Sequence, residues 1–407
     1  MEYKLFFYDS KENKYSINAL LGAVEGDKEL KELPILFFEK IDDLFFERDL
    51  RNSILCFSFF TTQFFEIKDI LGKLRELKKS NENLYFMAGG PHPSGDPQEV
   101  LDMGFDIVVK GEGERIFPNL IKEIVSGKKI FGIFHDKKKI DLNDYFPFSK
   151  KFGRFGPIEI SRGCPFGCYF CQTPRIFGGI MRHRSIEKIV EIVEVMVKRN
   201  LKDIRFITPN AFAYGSSDSM TINLKKLEEL LIEIRKIIGK EGRIFFGSFP
   251  SEVRPEHVLP ETVELIKLYA NNDNIVIGAQ SGSQRILDLA HRRHKVEDVY
   301  RAVETATYYG LKVNVDFIFG LPYENEDDIN QTVKMIEDLV KMGAKIHAHT
   351  FMPLPGTPFE NFPPGKFDKY MRKVINKLLP KGVVFGNFRE QEEIAWKLYN
   401  YFSSKEA

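Results

Sequence analysis

The sequence contains little that would place it in a membrane, in an oxidising compartment or on nucleic acid. No apolar segment approaches the roughly 20 residues that span a bilayer, and no N-terminal stretch resembles a secretory signal. Only four cysteines occur in 407 residues, too few for a disulfide framework. The formal net charge of +1 lacks the basic excess usual in proteins that bind nucleic acid. We therefore expect a cytoplasmic protein that does not bind membranes and does not have nucleic acid as its main ligand.

Short apolar runs alternate with amphipathic helical stretches through most of the chain. Hydrophobic residues make up 43% and charged residues 29% of it, an ordinary composition for a globular protein. The alternation is typical of βα units and a mostly parallel sheet, so we predict an α/β fold. Because 407 residues exceed what one hydrophobic core usually organises, we expect more than one domain.

The apolar runs form two series. The first predicts strands at 4–8, 34–38, 54–59, 84–88 and 107–109, the pattern of a doubly wound, Rossmann-like sheet. The second predicts strands at 158–161, 204–208, 243–248, 275–278, 313–319 and 345–351, which suits a partial (β/α)6 barrel. Lysines, a proline and glycines between the series indicate a linker. We thus predict a Rossmann-like domain at 1–130, a linker at 131–155, a partial barrel at 156–360 and a short helical segment at 361–407.

Three of the four cysteines lie within eight positions of one another. Cys164, Cys168 and Cys171, in SRGCPFGCYFCQTP, have C-x3-C-x2-C spacing directly after a predicted strand. Three thiolates on one loop can bind three irons of a cubane and leave the fourth iron open, whereas a zinc site or an electron-transfer cluster normally takes four protein ligands. The alternatives are a zinc knuckle completed by His183, or three unligated thiols. Cys56, on an apparently buried strand, is interpreted as a small hydrophobic residue.

The cysteine spacing, with the aromatic Phe170 before the last cysteine, resembles the radical S-adenosylmethionine (SAM) superfamily. The resemblance covers roughly residues 158–358 and implies a [4Fe-4S] cluster on the three cysteines, with SAM on the open iron. Three further segments match in position: ThrProAsn at 208–210, in place of the usual glycine pair and glutamate, GAQSGSQRIL at 278–287 and DFIFGLPYEN at 316–325. The SAM contacts implied are Phe170, Pro209, Asn210, Ser248, Gln280, Ser281, Ile318 and Gly320.

Two features of the predicted barrel also have structural interpretations. Ser281 or Ser283 would serve as the N-cap of the helix that follows. His347 and His349 alternate with Ala348 on a predicted strand and therefore point to the same side. They would touch substrate if they faced the barrel interior, but we favour hydrogen-bonded structural roles for both.

The loops after the predicted strands of the first domain carry glycines and hydroxyls, which let a ligand approach the backbone closely. Together they resemble the cobalamin-binding domain of the B12-dependent radical SAM branch. The implied cobalamin contacts are Ser58, Thr61, Thr62, Gln63, Gly89, Gly90, Pro91, His92, Gly111, Glu112, Gly113 and Glu114. The Asp-x-His-x-x-Gly motif is absent, which implies base-off cobalamin with another lower ligand, water or none. His92 would otherwise hydrogen-bond within its own loop.

The resemblance implies a cobalamin-dependent radical SAM methyltransferase of an archaeal subgroup. Such an enzyme removes hydrogen from an unactivated sp3 carbon with a 5'-deoxyadenosyl radical, and the carbon then takes a methyl group from methylcobalamin. It works without oxygen and needs a methyl acceptor and an external one-electron reductant. Members of the subgroup methylate protein side chains, including a glutamine of methyl-coenzyme M reductase.

Three other functions stay open from the sequence. A methylthiotransferase would need a second cluster on three N-terminal cysteines, where only Cys56 is available. Another radical SAM enzyme acting on a small molecule shares the same motifs. A non-catalytic iron–sulfur or zinc protein would use the three cysteines without SAM chemistry.

Overall fold

The structure is a computed structural model that describes residues 3–45 and 49–406. Residues 1, 2, 46–48 and 407, which the predicted domains include, lie outside the described residues. The chain divides into two compact units: one is Met1–Gly156 with Leu354–Gly356, and the other is Pro157–Pro353 with Thr357–Ala407. Each unit has its own parallel strands and its own apolar core.

The first unit is built on a six-stranded parallel sheet. Its elements are β1 (Lys4–Tyr8), α1 (Lys14–Gly26), β2 (Ile35–Phe38), α2 (Ile41–Phe45), β3 (Ser53–Ser58), α3 (Phe64–Ser80), β4 (Leu84–Gly89), α4 (Pro91–Gly95), α5 (Pro97–Asp102), β5 (Ile107–Lys110), α6 (Ile116–Val125) and β6 (Gly132–His135). The strand order is β2-β1-β3-β4-β5-β6. The order reverses between β1 and β3, the place where doubly wound sheets bind ligands at the carboxyl ends of their strands. The predicted Rossmann-like fold is confirmed.

Helices cover both faces of this sheet, which explains why its strands are continuous apolar runs. All six residues of β3, SILCFS, are buried, as expected for a parallel strand with a helix layer on each side. On one face Leu5 and Phe7 of β1 pack with Leu120 and Ile124 of α6 in a single core cluster. Cys56 belongs to the same cluster and is 4% exposed, so its interpretation as a core residue is confirmed.

Part of the predicted linker at 131–155 has regular structure and contacts within the first unit. Gly132–His135 forms β6, which pairs in parallel with β5. Farther along, Arg154 forms a two-pronged ion pair with Asp9, at 2.6 and 2.8 Å, within the same unit. Half the side chains of β6 are exposed, so this short edge strand lacks the apolar run that identifies the others.

Apart from the short antiparallel pair β8–β9, the second unit alternates parallel strands with helices. Its elements are β7 (Ile158–Glu159), β8 (Ser161–Arg162), α7 (Thr173–Phe177), β9 (Arg182–His183), α8 (Ile186–Val197), β10 (Asp203–Ile207), α9 (Leu224–Ile238), β11 (Arg243–Phe245), α10 (Pro260–Tyr269), β12 (Asn274–Gln280), α11 (Gln284–Leu289), α12 (Val296–Tyr308), β13 (Lys312–Phe319), α13 (Glu326–Lys341), β14 (Lys345–Thr350), α14 (Lys369–Leu378), β15 (Val384–Phe385) and α15 (Phe388–Glu406). β7, β10 and β11 form one sheet, and β12 to β15 form another. A parallel bridge between Val253 and Ile277 joins the segment after β11 to β12. The six predicted strands therefore follow one another as a partial barrel, and that prediction is confirmed.

Strands β13 and β14 alternate strictly between two faces. Val313, Val315 and Phe317 are fully buried, whereas the residues between them are partly exposed. β14 shows the same alternation, with His347 and His349 on the partly exposed face. The pairing register sets these two histidines beside residues 316 and 318 of β13. The partly exposed face is thus the interior of the partial barrel.

The last forty residues contribute a strand as well as helices. Val384–Phe385, β15, pairs in parallel with β14, and α14 and α15 lie on either side of it in the chain. The predicted helical character of this segment is confirmed, with one added strand that is too short to show a sequence pattern.

Candidate active site

The cysteine loop leaves the first strands of the partial barrel and enters α7. Backbone hydrogen bonds hold it on both sides: Cys164 N donates to Gly178 O (3.1 Å), and Tyr169 N donates to Ala290 O (3.0 Å). Gly163 begins the loop with a φ of +94°, and a Cβ there would meet Ile180 O at 2.3 Å. Only glycine fits this turn, so the loop geometry depends on it.

The three cysteines fit a cubane better than a zinc ion. Cys168 is buried, and Cys164 and Cys171 are partly exposed. In the part of the chain that the structure describes, their sulfurs do not all lie within 4.8 Å of one another, whereas a tetrahedral zinc site would bring them to about 3.8 Å. His183 cannot complete a zinc knuckle as it stands, because its ring nitrogens face Ser161 Oγ (2.8 Å) and Ser216 O (3.2 Å). Wider sulfur spacing suits thiolates that each bind a different iron.

Two buried arginines lie behind the cysteine loop. Arg292 Nη1 is 3.7 Å from Cys168 Sγ, and its Nη2 donates to Gly278 O (2.8 Å). The Arg254 guanidinium lies 3.5 Å from the centre of the Phe166 ring and donates to Arg292 O (2.7 Å). Arg254 Nη1 and Arg292 Nε are buried and have no hydrogen-bond partner among the described residues. Arg254 Nε also pairs with Glu256 Oε1, so the charge nearest the loop is that of Arg292 beside Cys168, and a positive charge there suits thiolates, an anionic cluster and a ligand carboxylate.

These arginines were not among the residues predicted from the sequence. Arg292 stands in the run HisArgArgHis at 291–294, and consecutive basic residues usually indicate an exposed surface. Only the fold shows that Arg292 turns inward to the backbone of β12. Arg292 and Arg254 are 6% and 3% exposed.

Both polar atoms of the Asn210 amide have hydrogen-bond contacts within the protein. Its Nδ2 lies 2.8 Å from His257 Nδ1, and its Oδ1 accepts from Arg254 N (3.2 Å). Pro209, beside it, is partly exposed. Ser248 differs, because its buried Oγ has no hydrogen-bond partner among the described residues. A buried hydroxyl of this kind is available to bind a polar ligand. The contact of Ser248 with SAM stays a prediction.

The segment from Gln280 to Ser283 divides into a strained and a capping part. Gln280 lies at a β-bulge with a φ of +73° and is 6% exposed. Ser281 is fully buried and its Oγ lies 3.3 Å from Thr332 Oγ1. Ser283 caps α11, accepting from Ile286 N (3.4 Å). The capping residue is therefore Ser283, and the polar contact of Ser281 is to α13.

Phe170 and Ile318 are brought together by the fold. Both pack against a small apolar cluster that includes Phe351 and Phe359. Gly320, two residues beyond Ile318, has a φ of +73°, and a Cβ there would lie 2.5 Å from Gly365 Cα. Phe170 and Ile318 thus join the cysteine loop to β13, and Gly320 allows a close backbone crossing.

In the first unit, the predicted cobalamin residues converge at the carboxyl edge of the sheet. Ser58 and Gly89 end adjacent strands in direct register. A Cβ on Gly90, whose φ is +98°, would lie 2.7 Å from Ser58 Oγ. Gly111 N donates to Ser94 Oγ (3.0 Å). The ends of β3, β4 and β5 therefore meet in one strip at the carboxyl edge of the sheet, where doubly wound folds bind ligands, and Gly90 lets the loop after β4 lie close against the end of β3.

Several of the side chains predicted to bind cobalamin already form hydrogen bonds within the first unit. Gln63 Nε2 donates to Ser10 Oγ (3.0 Å), and Glu112 Oε2 accepts from Ile140 N (3.1 Å). Glu114 is also buried, Pro91 and Gly113 are partly exposed, and Thr62 is exposed. Contacts to a cofactor from these positions stay predictions.

His92 is enclosed by aromatic rings. Its ring centre lies 5.6 Å from that of Phe59 and 5.3 Å from that of Phe64. Its Nδ1 is 3.1 Å from Thr61 Oγ1, whereas its buried Nε2 has no hydrogen-bond partner among the described residues. Burial lowers the pKa of His92 to about 4, so the ring is neutral near pH 7.

The fold and the site together define an α/β protein with a three-cysteine iron–sulfur loop at the start of a partial barrel. Residues 158–336 match the model of the Radical SAM superfamily, and residues 43–121 match that of the B12 binding domain. A putative methylthiotransferase of Methanocaldococcus jannaschii is 31% identical over 339 residues, which cover 80% of this chain and 72% of that protein. The chain belongs to the radical SAM superfamily and carries a B12-binding domain, and its cofactors are accordingly a [4Fe-4S] cluster, SAM and cobalamin.

Other relatives share this architecture. An uncharacterized protein of Methanopyrus kandleri is 24% identical and an uncharacterized methyltransferase of Pyrococcus horikoshii 27% identical, over 68% and 69% of this chain. The chain spans 62% and 63% of the lengths of these two proteins. The solved structure of the radical SAM methyltransferase TsrM from Kitasatospora setae, with cobalamin and a [4Fe-4S] cluster bound, has a TM-score of 0.66 at 14% identity, covering 88% of this chain and 77% of TsrM. This last similarity concerns the fold.

The described helices are unlike membrane-spanning helices in length or composition. None of the helices in residues 3–45 and 49–406 combines the length and the apolar composition needed to cross a bilayer.

Proposed function

We propose that this protein is a cobalamin-dependent methyltransferase that methylates an unactivated sp3 carbon. The observation that carries the proposal is the combination, in one chain, of a loop with three cysteines and a B12-binding domain. Three thiolates leave one iron of a cubane without a protein ligand, which is where SAM binds in this superfamily. When bound, these cofactors supply a carbon radical and a transferable methyl group.

The residues of the chain bind and position the reacting groups. Cys164, Cys168 and Cys171 would hold three irons, and the Arg292 guanidinium, 3.7 Å from Cys168 Sγ, offers its positive charge to an anionic cluster. Arg254 Nη1 and Ser248 Oγ, which have no hydrogen-bond partner among the described residues, would bind polar groups of a ligand. Phe170 and Ile318 both pack against the same apolar cluster, which excludes water from that side of the loop.

The acceptor is proposed from the resemblance of the sequence to the archaeal subgroup. We infer a protein side chain, and a glutamine of methyl-coenzyme M reductase is the specific candidate. An external one-electron reductant completes the reaction. Mass spectrometry of tryptic peptides from the source organism, with and without the gene, tests the acceptor: one peptide should lose the mass of a CH2 group in the deletion strain, and an unchanged peptide map of the reductase removes that candidate.

The first experiment separates a SAM-cleaving enzyme from a passive metal protein. After anaerobic reconstitution with iron and sulfide, the protein with SAM and a strong reductant should release 5'-deoxyadenosine. Cys168→Ala should abolish this release, whereas Cys56→Ala, which changes a thiol in the core of the other unit, should retain it. Equal release from both variants, or none from the wild type with an intact cluster, would refute the proposal.

A second experiment concerns cobalamin. Incubated with hydroxocobalamin and freed of unbound corrinoid, the protein should retain close to one corrinoid per chain, as measured by its absorption spectrum. A protein that methylates its acceptor without bound corrinoid would show that the first unit has another role.

A methylthiotransferase is the second candidate, because the 31% identical relative is named as a putative one. Against it, the only cysteine before Cys164 is Cys56, which is buried in an apolar core. Iron and sulfide analysis of the reconstituted protein distinguishes the two: one cluster and a product heavier by CH2 favour methyl transfer, whereas two clusters and a product heavier by CH2S favour methylthiolation.

A further inference from the structure

A second group of metal-binding side chains lies in the second unit, apart from the cysteines. Asp316 on β13 is paired in register with His347 on β14, and His349 follows two positions later on the same face. His347 Nδ1 is 3.0 Å from Asp316 Oδ1 and 3.2 Å from His349 Nε2. One ligand atom from each residue lies within 4.8 Å of the others. No other such group occurs in the described part of the chain.

Hydrogen bonds among Asp316, His347 and His349 cannot satisfy all three of the facing atoms at once. His347 Nδ1 carries at most one hydrogen. If it carries one, Asp316 Oδ1 and His349 Nε2 compete for it; if it carries none, it accepts from His349 Nε2 and meets the carboxylate of Asp316 lone pair to lone pair. A cation at the same point would accept a lone pair from all three atoms.

The distances match a coordination sphere. Metal–nitrogen and metal–oxygen bonds of about 2.0–2.2 Å at angles between octahedral and tetrahedral place neighbouring ligand atoms roughly 2.9–3.5 Å apart. The two separations on His347, 3.0 and 3.2 Å, fall in this interval. Two imidazoles and one carboxylate are a ligand set for divalent transition metals and leave further positions open.

The surroundings hold the ligands in place and leave access from one side. The His347 ring stacks on Phe385 of β15, with centres 4.6 Å apart and planes 9° apart. The side chains of Asp316 and His347 are 14% and 29% exposed, and they lie on the interior face of the partial barrel. Ile318, two positions along the strand from Asp316, packs in the same cluster as Phe170 of the cysteine loop.

We propose that Asp316, His347 and His349 bind one divalent first-row transition metal ion, such as Zn²⁺, on the interior face of the barrel. The open coordination positions would take water or an oxygen or nitrogen atom of a bound substrate. This site uses none of the cysteines, and it does not depend on the methyl transfer proposed above.

The test uses the holoenzyme, with its cluster and cobalamin in place, incubated with zinc chloride and freed of excess metal. Zinc is read at its own X-ray absorption edge, separately from the iron of the cluster and the cobalt of the corrin. We expect one zinc per chain with only nitrogen and oxygen neighbours at about 2.0–2.1 Å and the outer-shell signal of imidazole. Sulfur neighbours at about 2.3 Å, or no bound zinc, would overturn the proposal.

Variants assign the site to its residues. Asp316→Asn, His347→Ala and His349→Ala should each weaken zinc binding by about 100-fold or more, measured by competition with a chromophoric chelator. His135→Ala, a histidine of the first unit outside the group, is the matched control and should bind zinc as the wild type does. Zinc affinity that is the same in all these variants contradicts the assignment.

One substitution should improve the site, which keeps the test decisive if an alanine variant does not fold. Gln391 presents Nε2 to His349 Nδ1 (3.3 Å) and Oε1 to Thr350 N (3.1 Å). When His349 Nε2 binds a metal, its Nδ1 must carry the hydrogen and needs an acceptor. Gln391→Glu supplies one and keeps the acceptor for Thr350 N, so zinc should bind more tightly; weaker binding would overturn the proposed geometry.

Discussion

At the scale of single residues, burial decides the chemistry of several side chains at the sheet edges and in the barrel. His92 is 1% exposed between two phenylalanine rings, and its pKa is lowered by burial to about 4. Burial and the neighbouring charge of Arg292 lower the pKa of Arg254, whereas, despite burial, Cys168 and Glu252 raise the pKa of Arg292 above its usual value. Burial therefore keeps the His92 ring neutral, while Arg292 keeps its positive charge beside Cys168.

The neutral ring of His92 makes stability depend on pH. Its folded pKa of about 4 lies below the usual value near 6.5, so between these values the unfolded chain binds more protons than the folded one. The stabilisation is complete above pH 6.5 and is lost as the pH falls toward 4, to a total of about 3 kcal/mol. Urea unfolding of the wild type and of His92→Leu at pH 7 and pH 4 checks this: the variant should lose less stability on acidification. Equal losses would contradict the prediction.

The positions of the two arginines could not be predicted from the sequence, unlike those of the cysteines. The three cysteines could be predicted as cluster ligands from their local spacing, because they lie on one short loop. Arg292 reaches Cys168 from a loop more than a hundred positions later, and only the path of β12 and α11 brings it there. Contacts of that kind have no local pattern.

At the scale of elements, the strands that were predictable are those with at least one fully buried face. β3 is buried on both faces and is therefore apolar over almost its whole length, whereas β13 has one buried face and is apolar at every second position. β6 and β15 are short edge strands of four and two residues, and half of each is exposed. Their place in the fold comes from pairing with a neighbour, which composition does not reveal.

The turn between β12 and α11 lies closely against α13, and this contact leads to a prediction. A Cβ on Gly282 would lie 2.5 Å from Thr332 Cα, so Gly282→Ala must push α13 away from the turn. We expect a loss of about 1–3 kcal/mol in the free energy of unfolding. Gly72→Ala is the control, because Gly72 lies inside α3 with nothing within 4 Å of its Cβ position, and alanine there should stabilise the helix by about 0.5–1 kcal/mol. Thermal unfolding of both variants measures the difference, and similar shifts would contradict it.

At the scale of the whole molecule, two compact units with separate cores carry the two cofactor-binding regions. Cofactor loading should therefore be separable. The triple variant Cys164→Ala, Cys168→Ala, Cys171→Ala should lose its iron but retain corrinoid at the stoichiometry of the wild type, since the B12-binding region at residues 43–121 keeps its fold. Absorption spectra with iron and cobalt analysis measure both quantities. Loss of corrinoid together with iron would show that the two regions do not fold independently.

The partial barrel has two free ends, because β7 and β15 pair only with β10 and β14 in the described chain. Closed eight-stranded barrels fill their centre with their own side chains. Here the inward positions of β13 and β14 remain partly exposed. Because the ring of strands is open, its width can change without breaking the hydrogen bonds between neighbouring strands. The interior can therefore accommodate ligands as different as a nucleoside and a peptide side chain.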